Sequence, residues 1–332
     1  MNQNKCIDFV VPWVDDSDPV WQEKRARYTG KNVTEGNTEV RYRDWDTLKY
    51  WFRGVEKNAP WVRYIYFVTD DQKPQWLNVD HPKLKWVKHT DFIPAEYLPT
   101  FSCQAIEWNL HRIPGISDQF VFFNDDVFVI DETKPEDFFV NGQPCDLPCL
   151  GTLYANGFFS HILFNNMELM SRHFSLKKSI RENMIKWIRH QPLSGLLKLL
   201  IYGRRDLVPY SISPHIQLSF LKETYDKLWE AEYDWIHKTC CSKQRTKEVV
   251  TSYCVRDWQI LSGNFYPKKP IGKNFHTNTL KYSNEAIDYL KKQKGKTICL
   301  NDTEDEQDFE LHKQMIIDVF ETLFPEKSSF EL

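Results

Sequence analysis

Asn124-Asp125-Asp126 follows the buried-type run Gln119-Phe120-Val121-Phe122-Phe123, an order that sets two carboxylates at the end of a strand. Hard carboxylate oxygens suit a divalent cation. A Mg²⁺ (or Mn²⁺) ion bridging the oxygens of a pyrophosphate would neutralise charge as a leaving group departs. The same three residues also make an ordinary polar turn. Asp15, Asp16 and Asp18 form a similar cluster after the first strand, equally at home as plain turn chemistry. His215 follows Ser213-Pro214 where a helix is expected to begin, and a helix N-terminus disfavours the imidazolium and leaves a neutral base. Arg245 lies in the basic loop 242–247. Its planar guanidinium is a natural phosphate clamp, although a solvated charge run reads the same way. Arg41, Arg43 and Arg53 share that ambiguity. Asn301-Asp302 ends a β-like run ahead of the last helix, as site residues or as a helix cap.

The elements that must position these groups alternate in the first half of the chain. Strands are expected over 7–14, 64–69, 84–88 and 119–123, and helices over 47–58 and 102–112, the latter with Ser102 as its cap. Strand–helix–strand repetition implies βαβ units, hence an α/β fold with a mostly parallel sheet. Acidic and polar clusters sit at the C-terminal ends of at least three of the strands, where open α/β sheets bind ligands. From about residue 150 helices dominate. Residues 177–206 read as two helices split by Pro192 and Gly195, 217–236 as a further helix, 297–300 as a strand and 306–323 as the last helix. The chain divides into an α/β core over 1–150, a mainly helical region over 151–265 and a segment over 266–332 that returns to the core.

Composition excludes several classes. Net charge is −3, without the basic excess of a nucleic-acid-binding protein. The N-terminal residues lack a signal-peptide pattern, and no run of about 18 apolar residues is present to span a membrane. Together with eight scattered cysteines, this points to a cytoplasmic protein with reduced, structural thiols and no zinc pairing. Aromatic residues reach 15%. Such rings can stack on sugars, though most belong in a core.

Four blocks, in order, resemble the Stealth family, the sugar-1-phosphate transferases of bacterial capsules. An animal relative of that family is the catalytic subunit precursor of the lysosomal-enzyme N-acetylglucosamine-1-phosphotransferase. The blocks are IDFVVPWVDDSDP (7–19); RYRDWDTLKYWFRGVEKNAPWVRYIYFVTDDQKPQWL (41–77), continuing into LPTFSCQAIEWNLHRIPGISDQFVFFNDDVFV (98–129); PH (214–215) with KTCCSKQRTKEV (238–249); and ICLND (298–302) with FPEKSSFEL (324–332). The resemblance implies a Rossmann-like nucleotide-sugar transferase core with a helical insertion. It also implies a UDP-linked hexose or N-acetylhexosamine as donor, a sugar hydroxyl as acceptor, UMP as leaving group and a divalent metal. By position it implies Asp125 and Asp126 beside the pyrophosphate, with Asn124 in the same turn, His215 as the catalytic histidine and Arg245 as the phosphate-binding arginine. Asn301 and Asp302 complete the site, Asp302 with the metal. Asp18, Arg53, Ser102, Glu107 and His111 correspond to the remaining polar positions of the family. Asp16 stands where the family commonly has Gly, Pro12 where it has Thr or a similar residue, and Val249 where an Asp commonly follows Glu248. The region 150–210 matches poorly, so the acceptor, an oligosaccharide or a lipid-linked glycan, is not specified.

Two rival readings remain at this stage. One is a metal-dependent glycosyltransferase that attacks the anomeric carbon and releases UDP. The other is a non-catalytic polysaccharide-binding protein. Residues 177–206 carry eight basic residues against two acidic ones, with apolar residues interleaved. The stretch is expected either to lie on an anionic membrane surface or to be a solvated helix pair covering the core.

Overall fold

In the computed structural model residues 6–29, 36–38, 42–154, 157–204, 206, 208–277, 279–302 and 309–332 are described. Arg41, Arg205 and the start of the last helix expected at Glu306 lie outside them. The described residues form eleven strands: β1 (Ile7–Pro12), β2 (Ile65–Thr69), β3 (Leu84–Lys88), β4 (Gln119–Phe122), β5 (Val127–Val129), β6 (Phe139–Val140), β7 (Gln143–Asp146), β8 (Leu218–Leu221), β9 (Tyr266–Pro267), β10 (Gly272–His276) and β11 (Thr297–Asn301). The main sheet has the order β3-β2-β1-β4-β8. Its first four strands run parallel, and β8 joins antiparallel to β4. This is the α/β architecture the alternation implies. The order reverses around β1, so the crevice for a ligand lies beyond the C-terminal ends of β1 and β4.

Strands of a parallel sheet are covered on both faces and read as continuous apolar runs. All five residues of β2 and all four of β4 are buried. Along β1, Phe9 and Val11 face one core cluster and Val10 the other, as the two-residue strand period demands. The first cluster is covered by the helices Leu48–Asn58, Leu280–Lys291 and Phe309–Leu323 through Trp51, Tyr289 and Phe320. The second is covered by the helices Gly157–His173, Lys222–Ala231 and Tyr253–Leu261 through Met170, Tyr225 and Ile260. Gly54 lets the helix Leu48–Asn58 press on β5, since a Cβ there would strike the Val129 carbonyl oxygen. A second small sheet, β10-β11-β5, brings the C-terminal segment beside the loop after β4.

Three local expectations are corrected. Residues 217–236 do not form one helix: Gln217 is followed by β8, then by the helices Lys222–Ala231 and Tyr233–Cys241. Leu218, Leu221, Tyr225 and Leu228 fit a helical stripe, but Leu218, Phe220 and Leu221 are instead buried by pairing with β4. Tertiary pairing overrides the local period. Residues 102–112 form only the short helix Cys103–Glu107 and a 3₁₀ turn, Leu110–Arg112. Asn109 donates its side-chain amide to the Ala105 carbonyl (2.8 Å), a local bond that competes with the helical ladder. Residues 177–206 hold the helices Leu176–Glu182, Met184–Ile188 and Leu193–Tyr202. They break at Asn183 and before Leu193, so Gly195 sits inside a helix. No helix among the described residues is long and apolar enough to cross a membrane.

Candidate active site

The Asn124-Asp125-Asp126 turn links β4 to β5, closed by a bond from the Val127 N–H to the Asn124 carbonyl (3.1 Å). The Leu300 N–H donates to the Asp126 carbonyl (2.9 Å), which seats β11 against the turn. Cys299, buried in β11, donates its thiol to Asp126 Oδ2 (3.4 Å). Asp126 Oδ1 is buried without a partner. An orphaned carboxylate oxygen in a structured site calls for a cation or a ligand. Burial raises the Asp126 carboxyl above its ordinary range, with His215 and Cys299 opposing the shift.

Asp125 lines a cleft and its side chain is reached by solvent there. Enclosure, then repulsion from Asp126 and Asp44, pushes its carboxyl up to about 8. Asp44 lines the same cleft, and burial raises its carboxyl too. Asp126 and Asp44 both disfavour ionisation of Asp125, and a bound cation would relieve that repulsion.

His215 does not begin a helix. It sits in a bend ahead of β8 with φ of 43°, so the expected dipole effect is absent. A non-glycine residue in the left-handed region is held there by its surroundings. Its Nδ1 meets the hydroxyl of Tyr253 at 2.8 Å. Burial and then Glu107 raise the Tyr253 phenol far above its ordinary range, so it stays protonated. A ligand atom from each of Asp126, His215 and Cys299 lies within 4.8 Å of the others, a grouping able to hold a metal ion. Burial and the Asp126 charge raise the Cys299 thiol well above its ordinary range. Cys299 therefore acts as a hydrogen-bond donor to the carboxylate, and the carboxylates and imidazole are the better ligands.

Arg245 lines the same cleft. Its backbone is pinned to the Asn37 side chain by two bonds (N–H to Oδ1 3.1 Å, Nδ2 to the carbonyl 2.9 Å). Its guanidinium donates to Cys103 Sγ (3.1 Å) and to the Gly36 carbonyl (3.4 Å). It has no carboxylate ion pair among the described residues. Glu107 accepts a bond from Ser252 (2.5 Å), and burial raises its carboxyl.

Asn124, Asp125, Asp126, Glu107, His215 and Arg245 thus line one cleft of about 890 Å³, together with Asn301 and Asp302. Asn301 contacts His276 Nδ1 at 3.2 Å. Both oxygens of Asp302 are taken by Arg43 (2.7 Å) and one also by Trp45 (3.0 Å), so this carboxylate holds a guanidinium at the cleft rim.

Four sequence candidates lie outside the lining. Asp18 caps the helix Pro19–Thr29 through the Val20 N–H (2.9 Å) and accepts from Gln72 (3.0 Å). Arg53 is buried and paired with Glu331 through two bonds of 2.8 Å. Ser102 is buried and donates to Gln104 (3.0 Å). His111 is buried against the Tyr225 ring, with centroids 5.0 Å apart, and burial drives its imidazole down to about 3. The first acidic turn closes on itself, Asp15 accepting from the Ser17 N–H (2.9 Å) and hydroxyl (2.6 Å).

The sequence reading missed Tyr253, Cys299 and Asp44. Cys299 stands two residues before Asn301 and could have been flagged by alternation along β11. Tyr253 and Asp44 carry no local signal of the site, because His215 lies 38 positions from Tyr253 and Asp125 is likewise distant in sequence from Asp44.

Conserved region 1 of Stealth proteins matches residues 7–33, conserved region 2 matches 41–146 and conserved region 4 matches 288–332. A capsular polysaccharide phosphotransferase WcwK of Streptococcus pneumoniae is 40% identical over 336 residues, covering 100% of this chain and 99% of that one. The chain belongs to the Stealth family. Among its relatives, the receptor polysaccharide phosphotransferase WefC of Streptococcus gordonii is 39% identical, covering 98% of this chain and 99% of WefC. The exopolysaccharide phosphotransferase cps2G of Lactiplantibacillus plantarum is 33% identical, covering 98% and 96%. This Stealth protein is therefore an enzyme of the phosphotransferase class. The galactosyltransferase LgtC, solved with donor and acceptor sugar analogues, overlays 94% of the chain at a TM-score of 0.40 and 10% identity, too distant a likeness to bear on the chemistry.

Proposed function

We propose that this enzyme transfers hexose-1-phosphate or N-acetylhexosamine-1-phosphate from a UDP-sugar to a sugar hydroxyl of a capsular or cell-surface polysaccharide. The product is a phosphodiester and the leaving group is UMP. The observation that carries the reading is the shared cleft, lined by two adjacent carboxylates, an imidazole and an arginine without an ion-pair partner among the described residues. Kinship with polysaccharide phosphotransferases supports phosphorus rather than the anomeric carbon as the point of attack.

The acceptor oxygen forms a bond to the sugar-bearing phosphorus as the bond from that phosphorus to the UMP oxygen breaks. His215 or a neighbouring carboxylate takes the hydroxyl proton. With Nδ1 held by Tyr253, Nε2 is the ring nitrogen left for that work. Arg245 stabilises the equatorial phosphate oxygens through its planar fork. Asp125 and Asp126 would hold Mg²⁺ or Mn²⁺, which would supply charge neutralisation to the departing phosphate. Asp302 acts indirectly, by fixing Arg43 at the cleft rim. The donor is taken up on the cytoplasmic side, with residues 177–206 toward the inner face of the plasma membrane.

A panel of UDP-sugars with an oligosaccharide acceptor, read by phosphorus NMR and nucleotide analysis, tests the proposal. A phosphodiester signal with stoichiometric UMP is expected. UDP with a glycosidic product would overturn it in favour of an ordinary glycosyltransferase.

A further inference from the structure

The helices Leu176–Glu182, Met184–Ile188 and Leu193–Tyr202 have two contrasting faces. Inward, Leu176 and Trp187 are sealed at 0% and 1% exposure and line the apolar end of the cleft. Outward, Met184, Ile185 and Ile188 are exposed. The helix Leu193–Tyr202 buries none of its residues, although seven of the ten are apolar. Leu193, Leu197, Leu200 and Ile201 are all exposed, and their spacing places them on one stripe. The surface is fixed in place: Gln191 donates to the Pro148 carbonyl (2.5 Å) and Lys198 to the Leu150 carbonyl (2.9 Å). Ile180 abuts Gly203, so the first and third helices touch.

Basic side chains outnumber acidic ones around this apolar surface, where Glu182 and Asp206 are the exposed acids. Lys177, Lys178, Arg181 and Arg204 are exposed and make no ion pair among the described residues. Residues 177–206 hold eight basic side chains and two acidic ones in a chain whose net charge is −3, so the rest of the molecule is acidic. A second copy presenting the same face would set like charges against like, which disfavours a symmetric dimer here. Exposed aliphatic side chains beside lysines and arginines that make no ion pair among the described residues match an anionic lipid surface, where acyl chains meet phosphate headgroups.

We propose that this face docks on an anionic bilayer. Leu193, Leu197, Leu200 and Ile201 enter the headgroup–acyl boundary, and Lys177, Lys178, Arg181 and Arg204 lie on lipid phosphates. The docking stands independently of the transfer reaction. Its consequence for an acceptor rests on the proposed function: the same helices line the cleft, which places its apolar end about one helix diameter, roughly 10 Å, from the bilayer, within reach of a lipid-linked glycan.

Flotation of the full chain with vesicles of phosphatidylcholine and phosphatidylglycerol in equal parts, against phosphatidylcholine alone, tests the docking. The wild type is expected to float with the mixed vesicles at low salt and to be released at high salt. Lys177→Gln with Lys178→Gln and Arg181→Gln should weaken partitioning on the order of 100-fold, from about 1 kcal/mol per basic residue near an anionic surface. Leu197→Gln with Leu200→Gln should also reduce flotation, and both variants should keep wild-type transfer to a soluble oligosaccharide. A wild type that stays unbound with anionic vesicles at low salt overturns the proposal, as does undiminished flotation of both variants. A dimer dispersed by Leu197→Gln with Leu200→Gln would assign the face to a second copy and overturn it too. If flotation succeeds while no phosphodiester forms with any UDP-sugar, the docking stands and the proposed function falls.

Discussion

Arg53 and Arg245 read alike in the sequence and are used in opposite ways by the fold. Arg53, in the helix Leu48–Asn58, is closed off on every side. Glu331 takes its Nε and Nη2, the Phe324 carbonyl takes its Nη1 at 2.8 Å, and Glu321 lies at 3.5 Å. Arg245 keeps a thiol and a carbonyl oxygen as partners, with Glu107 acting only at a distance, and it faces the cleft. A buried charge must be paired or change its state. Where the chain supplies the pair, the arginine is architecture and clamps the C-terminal segment. Where the described residues supply no carboxylate pair and only a thiol and a carbonyl oxygen, the guanidinium facing the cleft is available to an incoming phosphate.

The largest expected effect is on the closed arginine. Arg53→Met leaves Glu331 buried without its partner and should cost about 3–5 kcal/mol of stability, as for other broken buried pairs, measured by urea unfolding. The protein that remains folded should keep the wild-type kcat. Acid titration sharpens the contrast. Burial would raise the Glu331 carboxyl, but bonds from Arg53 and Ser328 outweigh it and lower the group below 4.5. A carboxyl lowered by folding stabilises above its unfolded value, and that stability is lost as pH falls through the folded one. The wild type should therefore lose stability below 4.5 more steeply than Arg53→Met, whose unpaired Glu331 is relieved by protonation. Equal acid slopes would remove Arg53 from the clamp.

The next effect is on the open arginine. Arg245→Lys keeps the charge and loses the fork. It should reduce kcat on the order of 100-fold, typical of one lost transition-state donor, with a change in unfolding free energy well below that of Arg53→Met. Full activity in Arg245→Lys would sink the phosphate role. Tyr253→Phe comes third. It removes the hydroxyl from His215 Nδ1 and should cost about 1 kcal/mol, a single neutral hydrogen bond. The loss should fall on kcat while KM for the donor stays constant, and it should add nothing to His215→Ala. Additive losses would show that Tyr253 does not act through the imidazole.

Much of the α/β core was legible because parallel strands buried on both faces carry their own signature, as β1, β2 and β4 do. Placing Asp125, Asp126 and Arg245 in one cleft needed the four blocks in order, since no local pattern brings residue 245 to the same cleft as residue 125. What stayed hidden depended on pairing at a distance. β8 read as helix because its apolar spacing fits both periods, and only the β4 edge decides between them. Arg53 could not be told from Arg245 because its deciding partner, Glu331, lies 278 positions away. The same reason hid Tyr253. The basic stretch 177–206 was legible as a charge pattern, while its unburied aliphatic stripe required the fold.

The smallest effect tests whether enclosure, and not merely charge pairing, separates the two arginines. Lys49 contacts Glu321 at 3.3 Å near the same C-terminal segment, but its side chain is 34% exposed and that of Glu321 is 46% exposed. Water screens such a pair, and ordering two long side chains offsets most of its Coulomb gain. Lys49→Gln should therefore change unfolding stability by no more than about 0.5 kcal/mol, against several for Arg53→Met a turn away on the same helix. Glu321 also keeps its bond from the Tyr50 hydroxyl (2.5 Å), so the carboxylate is not left alone. A loss from Lys49→Gln comparable to that of Arg53→Met would mean that the C-terminal segment is held by the sum of its charges and not by the one sealed pair.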